Sequence, residues 1–114
     1  MNTHKKIMVA DDDTAILDSI SLVLKHEGYD VDTTAQGETV LNMAEIPDLL
    51  LLDIWMSGVD GRDICKQIKQ NEATSKVPVL LVSASREIEQ SAREAGADDF
   101  LAKPFEMDDL LRKI

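Results

Sequence analysis

A lone cysteine, Cys65, stands in the 114 residues, so no disulfide can form within the chain. That usage suits a reducing cytoplasm. Cys65 sits in a helical pattern beside Ile64 and Ile68, with no histidine near it in sequence and no redox motif. It therefore reads as core filler rather than a reactive thiol. No apolar run approaches the roughly 18 residues that a membrane span requires. Only four apolar positions, Ile7 to Ala10, separate the polar N-terminus from three aspartates, which does not read as a signal peptide. Positive charge is scarce: 12 Lys and Arg stand against 22 Asp and Glu, a formal net charge of -10. Nucleic acid is a polyanion, so this chain is not expected to bind it. The two histidines, His4 and His26, lack metal-ligand spacing and are given structural or solvent roles. Internal repeats, low-complexity tracts and linkers are also missing, and 114 residues suffice for one domain with one core.

What is present is an alternation of short apolar runs and helical patterns. Ile7-Met8-Val9-Ala10 reads as a first strand. From Thr14 to about Glu27 the apolar residues Ile16, Ile20, Val23 and Leu24 fall on one helical face, with Asp13 as the N-cap and Gly28 as the stop. Asp30 to Thr34 favours a strand, and Gln36 to Ala44 a second helix with Val40, Leu41 and Met43 apolar. Pro47 precedes Asp48-Leu49-Leu50-Leu51-Leu52, a run that reads as a strand buried on both faces and that ends at Asp53. Ile54 to Gly61 reads as a loop. Ile64, Cys65 and Ile68 share a face of a helix from Gly61 to about Gln70. Val77 to Val82 is another buried strand, with Pro78 near its start, where a missing donor is tolerated. Arg86 to Ala95 is helical but thin in apolar residues, with only Ile88, Ala92 and Ala95, and Gly96 ends it. Asp99 to Ala102 is the last strand, and Glu106 to Ile114 the last helix, which runs to the end of the sequence without a cap, as in a truncated chain.

Five strand–helix units in succession imply an α/β fold with a five-stranded parallel sheet and helices on both faces. The doubly wound, flavodoxin-like strand order 2-1-3-4-5 is expected. Such sheets build their sites at the carboxyl ends of the strands. Asp11, Asp12, Asp53, Ser83 and Lys103 all follow or end a strand there. Adjacent aspartates plus a third across the sheet make a cluster of hard oxygen ligands suited to magnesium. A hydroxyl and an ammonium beside them suit phosphoryl transfer to a carboxylate. Turn formation and capping explain Asp13 alone better than they explain the trio. Lys103 precedes Pro104, and a cis bond there would turn the lysine back over the strand ends.

With these residues in hand, the chain resembles a receiver domain of a two-component response regulator. The resemblance rests on Val9-Ala10-Asp11-Asp12-Asp13, then Leu51-Leu52-Asp53-Ile54-Trp55-Met56-Ser57-Gly58-Val59-Asp60-Gly61, then Val82-Ser83-Ala84, then Leu101-Ala102-Lys103-Pro104-Phe105. It runs over essentially the whole chain, residues 1–114, as one receiver domain. The resemblance implies that Asp53 accepts a phosphoryl group from a phosphohistidine donor. It implies that Asp11, Asp12, Asp53 and the backbone carbonyl of Trp55 hold Mg2+. Ser83 would take a phosphoryl oxygen, Lys103 would pair with the phosphate, and Phe100 would be the switch aromatic. The partners implied are a sensor histidine kinase or histidine phosphotransfer protein and an output domain or protein. A homodimer through the face of the fourth helix, last strand and last helix is a further possibility the resemblance opens.

Two features are particular to this chain. Such domains usually carry Pro where Ser57 stands, and serine leaves the loop freer. Trp55 is large for its position, and its ring is expected to cover the aspartyl phosphate and slow hydrolysis. Rival readings are a haloacid-dehalogenase-like phosphatase using Asp11, a receiver-like docking module that is never phosphorylated, and a flavodoxin-like nucleotide carrier. The last lacks a glycine-rich phosphate loop after the first strand.

Overall fold

Leucine at four successive positions, Leu49 to Leu52, can be buried only in a strand covered on both sides, and the fold provides that cover. The computed structural model describes residues 5–42, 45–56, 58–84 and 86–114. Five parallel strands form one sheet: β1 (Lys6–Ala10), β2 (Asp30–Thr34), β3 (Leu49–Asp53), β4 (Val79–Ser83) and β5 (Asp99–Ala102), in the order 2-1-3-4-5. The connections carry α1 (Thr14–His26), α2 (Gly37–Leu41), α3 (Gly61–Gln70) and α4 (Ile88–Ala95), and α5 (Met107–Lys113) follows the last strand. The expected fold class and strand order are therefore those observed.

Successive side chains of a strand point to opposite faces, and the core divides accordingly. Ile7, Val9, Leu51, Leu80 and Val82 pack with Leu17, Ile20 and Leu24 of α1 and Leu110 of α5. Met8, Ala10, Leu50, Leu52, Val79 and Leu81 pack with Val40 of α2, Ile64, Cys65 and Ile68 of α3, and Ile88, Ala92 and Ala95 of α4. Cys65 is fully buried, and burial pushes its thiol up to about 11, which leaves it protonated and inert.

Several boundaries differ from the sequence reading. Val77 and Pro78 precede β4, and the Pro78 carbonyl accepts from Leu50 N at 2.9 Å without joining the strand. α4 begins at Ile88 rather than Arg86, and α2 begins at Gly37 rather than Gln36 and runs to Leu41, with Asn42 as its C-cap. The expectations for His4, Met43, Ala44 and Ser57 lie outside the described residues. The segment after Asp53 is more than a loop. Trp55–Met56 pairs antiparallel with Val59–Asp60 in a small hairpin, turning at Gly58 with φ +71°. That backbone angle is open to glycine without strain.

Candidate functional site

Parallel strands put all their carboxyl ends on one edge, so residues far apart in sequence meet there. Asp11 follows β1, Asp53 ends β3, Ser83 ends β4 and Lys103 follows β5. Lys103 N donates to Ser83 O at 2.9 Å, which ties the lysine to the neighbouring strand end. The Lys103–Pro104 peptide bond is cis.

Asp11 is nearly buried and has both oxygens engaged. Oδ1 accepts from Asp13 N at 3.0 Å, and Oδ2 accepts from Lys103 Nζ at 2.8 Å. The same ammonium lies 3.6 Å from Asp53 Oδ1. Asp53 is 7% exposed and Ser83 1%. Asp12 is exposed on the rim. Asp13 points elsewhere: its Oδ1 accepts from Ala15 N at 3.0 Å and Ile16 N at 3.3 Å, the N-cap expected for α1.

Three carboxylates in this space strain one another. Burial, reinforced by the charge of Asp11, pushes the Asp53 carboxyl up to about 6, although Lys103 pulls the other way. Burial alone would lower the Lys103 ammonium, but its hydrogen bond to Asp11 and the charge of Asp53 raise it instead. One oxygen from each of Asp11, Asp12 and Asp53 lies within 4.8 Å of the others. An ion bonded to oxygens at about 2.1 Å closes that spacing with small side-chain rotations. The donor set is all oxygen and largely anionic, which fits Mg2+ better than a softer metal.

Trp55, at the start of the hairpin, is 59% exposed. The guanidinium carbon of Arg62 lies 5.1 Å from its ring centroid. Gly61 packs hard against the acceptor, since a Cβ there would stand 2.3 Å from Asp53 O. At the far edge of the sheet Phe100 is half-buried, with Lys113 Nζ 5.5 Å from its ring centroid. A largely apolar groove of about 490 Å³ opens beside the site, between Ile16 and Ser19 of α1 and Phe105 and Met107, with Lys103 on its lip. Sequence reading missed Arg62, Gly61 and this groove. The Asp60-Gly61-Arg62 helix start carries a capping signal for Asp60, but nothing in the spacing announces the contact with Trp55.

The structure thus brings Asp11, Asp12, Asp53, Ser83 and Lys103 to one edge, while Phe100 stands apart on β5. Comparison with known proteins shows what the whole chain is similar to. The response regulator receiver domain model matches residues 7–114. The DNA-binding dual master transcriptional regulator RpaA of Synechocystis is 35% identical over 113 residues, covering 96% of this chain and 47% of that protein. The chain therefore spans about half the length of the curated relatives it matches. A putative response regulator from Chloroflexus aurantiacus superposes with a TM-score of 0.91 at 35% identity, covering 97% of this chain and 94% of that one. The receiver domain of sensor histidine kinase PA1611 from Pseudomonas aeruginosa, with a magnesium ion coordinated in its active-site cleft, gives a TM-score of 0.88 at 25% identity and covers 97% and 94%.

Proposed function

The chain belongs to the response regulator receiver domain family, and from that premise we propose that Asp53 carries the phosphoryl group of a signalling switch. The observation that carries the reading is the convergence of Asp11, Asp53 and Lys103, with the ammonium 2.8 Å from one carboxylate and 3.6 Å from the other. Asp11, Asp12, Asp53 and the Trp55 carbonyl would hold magnesium. When bound, that ion supplies positive charge for the acids and for the phosphoryl oxygens.

The donor is a phosphohistidine on a sensor histidine kinase or a histidine phosphotransfer protein. An Asp53 oxygen forms its bond to phosphorus in line with the phosphorus–nitrogen bond, which breaks and returns its electron pair to the imidazole. Lys103 stabilises the spreading charge, and positioning supplies much of the rest. The groove along Ile16, Ser19, Phe105 and Met107 shares Lys103 with the site, so it is the surface along which the donor protein would approach. Asp11 as a phosphatase nucleophile has no comparable support, because both its oxygens are already engaged.

The new phosphate draws Ser83 toward it, Phe100 moves into the space released, and the α4–β5–α5 face changes. α4 presents only Ile88, Ala92 and Ala95 to the core, so little holds it in place. That face would engage an output domain or partner, or a second copy of the chain. RpaA is a DNA-binding transcriptional regulator, and by that likeness the output controlled here would be transcriptional. With a net charge of -10, this chain would not itself be the element that contacts DNA.

Hydrogen exchange with and without a small phosphodonor tests the switch. Altered protection over residues 83–114, seen in the native chain and not in Asp53→Asn, is the expected outcome. Identical exchange in both proteins sinks the proposal.

A further inference from the structure

The proposed switch moves α4, and how a helix moves depends on where it is held. The two ends of α4 differ. Its first turn follows Ser83 and Ala84 at the carboxyl edge of the sheet, where Asp53 stands. Its last turn lies at the opposite, amino edge and is clasped there. Gly96, with φ +80°, closes the helix, and Ala97 N donates back to Ala92 O at 2.9 Å. The next residue, Asp98, takes both backbone groups of Val79 at the start of β4. Asp98 N donates to Val79 O at 2.9 Å, and Asp98 Oδ2 accepts from Val79 N at 2.8 Å.

Lys69, near the end of α3, joins the same clasp. Its mostly buried side chain donates from Nζ to Asp98 Oδ2 at 2.6 Å and to Val77 O at 2.7 Å. Its stem runs close beneath the turn, since a Cβ on Gly96 would lie 3.8 Å from Lys69 Cγ. Burial alone would raise the Asp98 carboxyl, but the Lys69 hydrogen bond holds it below the usual range, so the pair is ionic. The two-bond grip of Asp98 recurs at the same edge. Asp48 N donates to Lys6 O at 2.7 Å, and Asp48 Oδ2 accepts from Lys6 N at 2.8 Å. The amino edge is thus stapled at β1 and again at β4. α4 itself is braced along its exposed side, by Arg93 Nη2 on Glu89 at 2.8 Å and Gln90 Nε2 on Glu94 at 3.0 Å. A braced helix held at one end swings about that end.

We propose that the Lys69–Asp98 clasp is the pivot of the switch: it fixes the last turn of α4, so that phosphorylation of Asp53 swings the first turn and leaves the last in place. Lys69 acts as a positioning residue, at the end of the sheet remote from the acceptor. The proposal rests on the reading of Asp53 as phosphoacceptor and of α4 as part of the switching face.

Residue-resolved amide NMR tests this on the native, Lys69→Met, Lys69→Arg and Asp98→Asn chains, each with Mg2+, before and after addition of excess acetyl phosphate. In the native chain phosphorylation should shift the amides of Arg86 to Glu89 and leave exchange at Ala97 and Asp98 unchanged. In Lys69→Met and in Asp98→Asn, phosphorylation should speed exchange at positions 97 and 98 roughly two- to five-fold, the size expected for one part-exposed charged contact. Lys69→Arg keeps the cation and should lie closer to the native chain than to Lys69→Met. Exchange that is faster in Lys69→Met by the same factor before and after phosphorylation marks a merely structural bond and overturns the pivot. Native amides at Ala97 and Asp98 that respond as strongly as those of the first turn overturn it too. A native chain that takes up no phosphate overturns the reading of Asp53 and the pivot with it, whereas the other failures leave that reading standing.

Discussion

Lys103 is hydrogen-bonded to Asp11 at 2.8 Å and stands 3.6 Å from Asp53, across 92 residues of sequence from its hydrogen-bond partner. Its ammonium therefore neutralises the same carboxylate that a metal would use. Two cations drawn to one buried acid compete, because like charges at short range in a part-buried site repel strongly.

That competition gives a first prediction. Lys103→Met should bind Mg2+ roughly three- to ten-fold more tightly, since the acids are left without their counter-charge. The same variant should accept phosphate roughly 100-fold more slowly, having lost a donor aimed at the developing charge. Calorimetric magnesium titration and the rate of mass gain from acetyl phosphate measure the two effects, which run in opposite directions.

Metal itself should stabilise the fold. Mg2+ at ten times its dissociation constant should add about 1.4 kcal/mol to the unfolding free energy, because it binds the folded site and not the separated acids. Asp11→Asn should abolish most of that gain. Thermal melts with magnesium and with a chelator check both statements.

The raised pKa of Asp53 sets a pH dependence. Its carboxyl keeps a proton up to about pH 6 in the folded chain, against 3.8 as the ordinary value. Between those pH values the folded state binds more protons than the unfolded one, so metal-free stability falls as pH rises through the window. Asp53→Asn carries no such charge. It should exceed the native chain by about 1 to 3 kcal/mol at pH 8, with the charge-linked part of the gain lost near pH 3.5. Urea unfolding with chelator present at the two pH values is the measurement.

Gly61 offers a steric test of how tightly α3 is seated on the acceptor. A methyl group there would meet Asp53 O at 2.3 Å and Ile54 Cα at 2.9 Å, and both are backbone atoms that cannot rotate away. Gly61→Ala should lower stability by about 1 to 3 kcal/mol and slow phosphate uptake. A variant as stable and as fast as the native chain would show that the helix start moves freely.

These contacts mark where sequence reading succeeds and where it stops. The starts of β2, β5 and α3 were legible because a turn or capping residue precedes each: Gly28 before β2, Gly96 before β5, Asp60 before α3. The edge that gathers Asp11, Asp53, Ser83 and Lys103 was legible because strand-helix alternation forces parallel strands. α4 starts two residues later than expected because no apolar residue before Ile88 marks its beginning. The hairpin at Trp55 was hidden, since two-residue strands carry no periodicity. Arg62 lies seven residues from Trp55, and only the hairpin turn at Gly58 brings them together. The choice of Asp11 over Asp53 as the hydrogen-bond partner of Lys103 depends on ångström-scale side-chain placement, which spacing along a chain does not encode.

Locating the phosphoryl group tests the central claim most directly. The chain is incubated with acetyl phosphate, with and without Mg2+, and the modified residue is identified by mass spectrometry after reductive trapping of the acyl phosphate. The account predicts one magnesium-dependent phosphoryl group on Asp53 and none on the Asp53→Asn variant. A phosphoryl group on Asp11, or a native chain that stays unmodified with magnesium present, would contradict it.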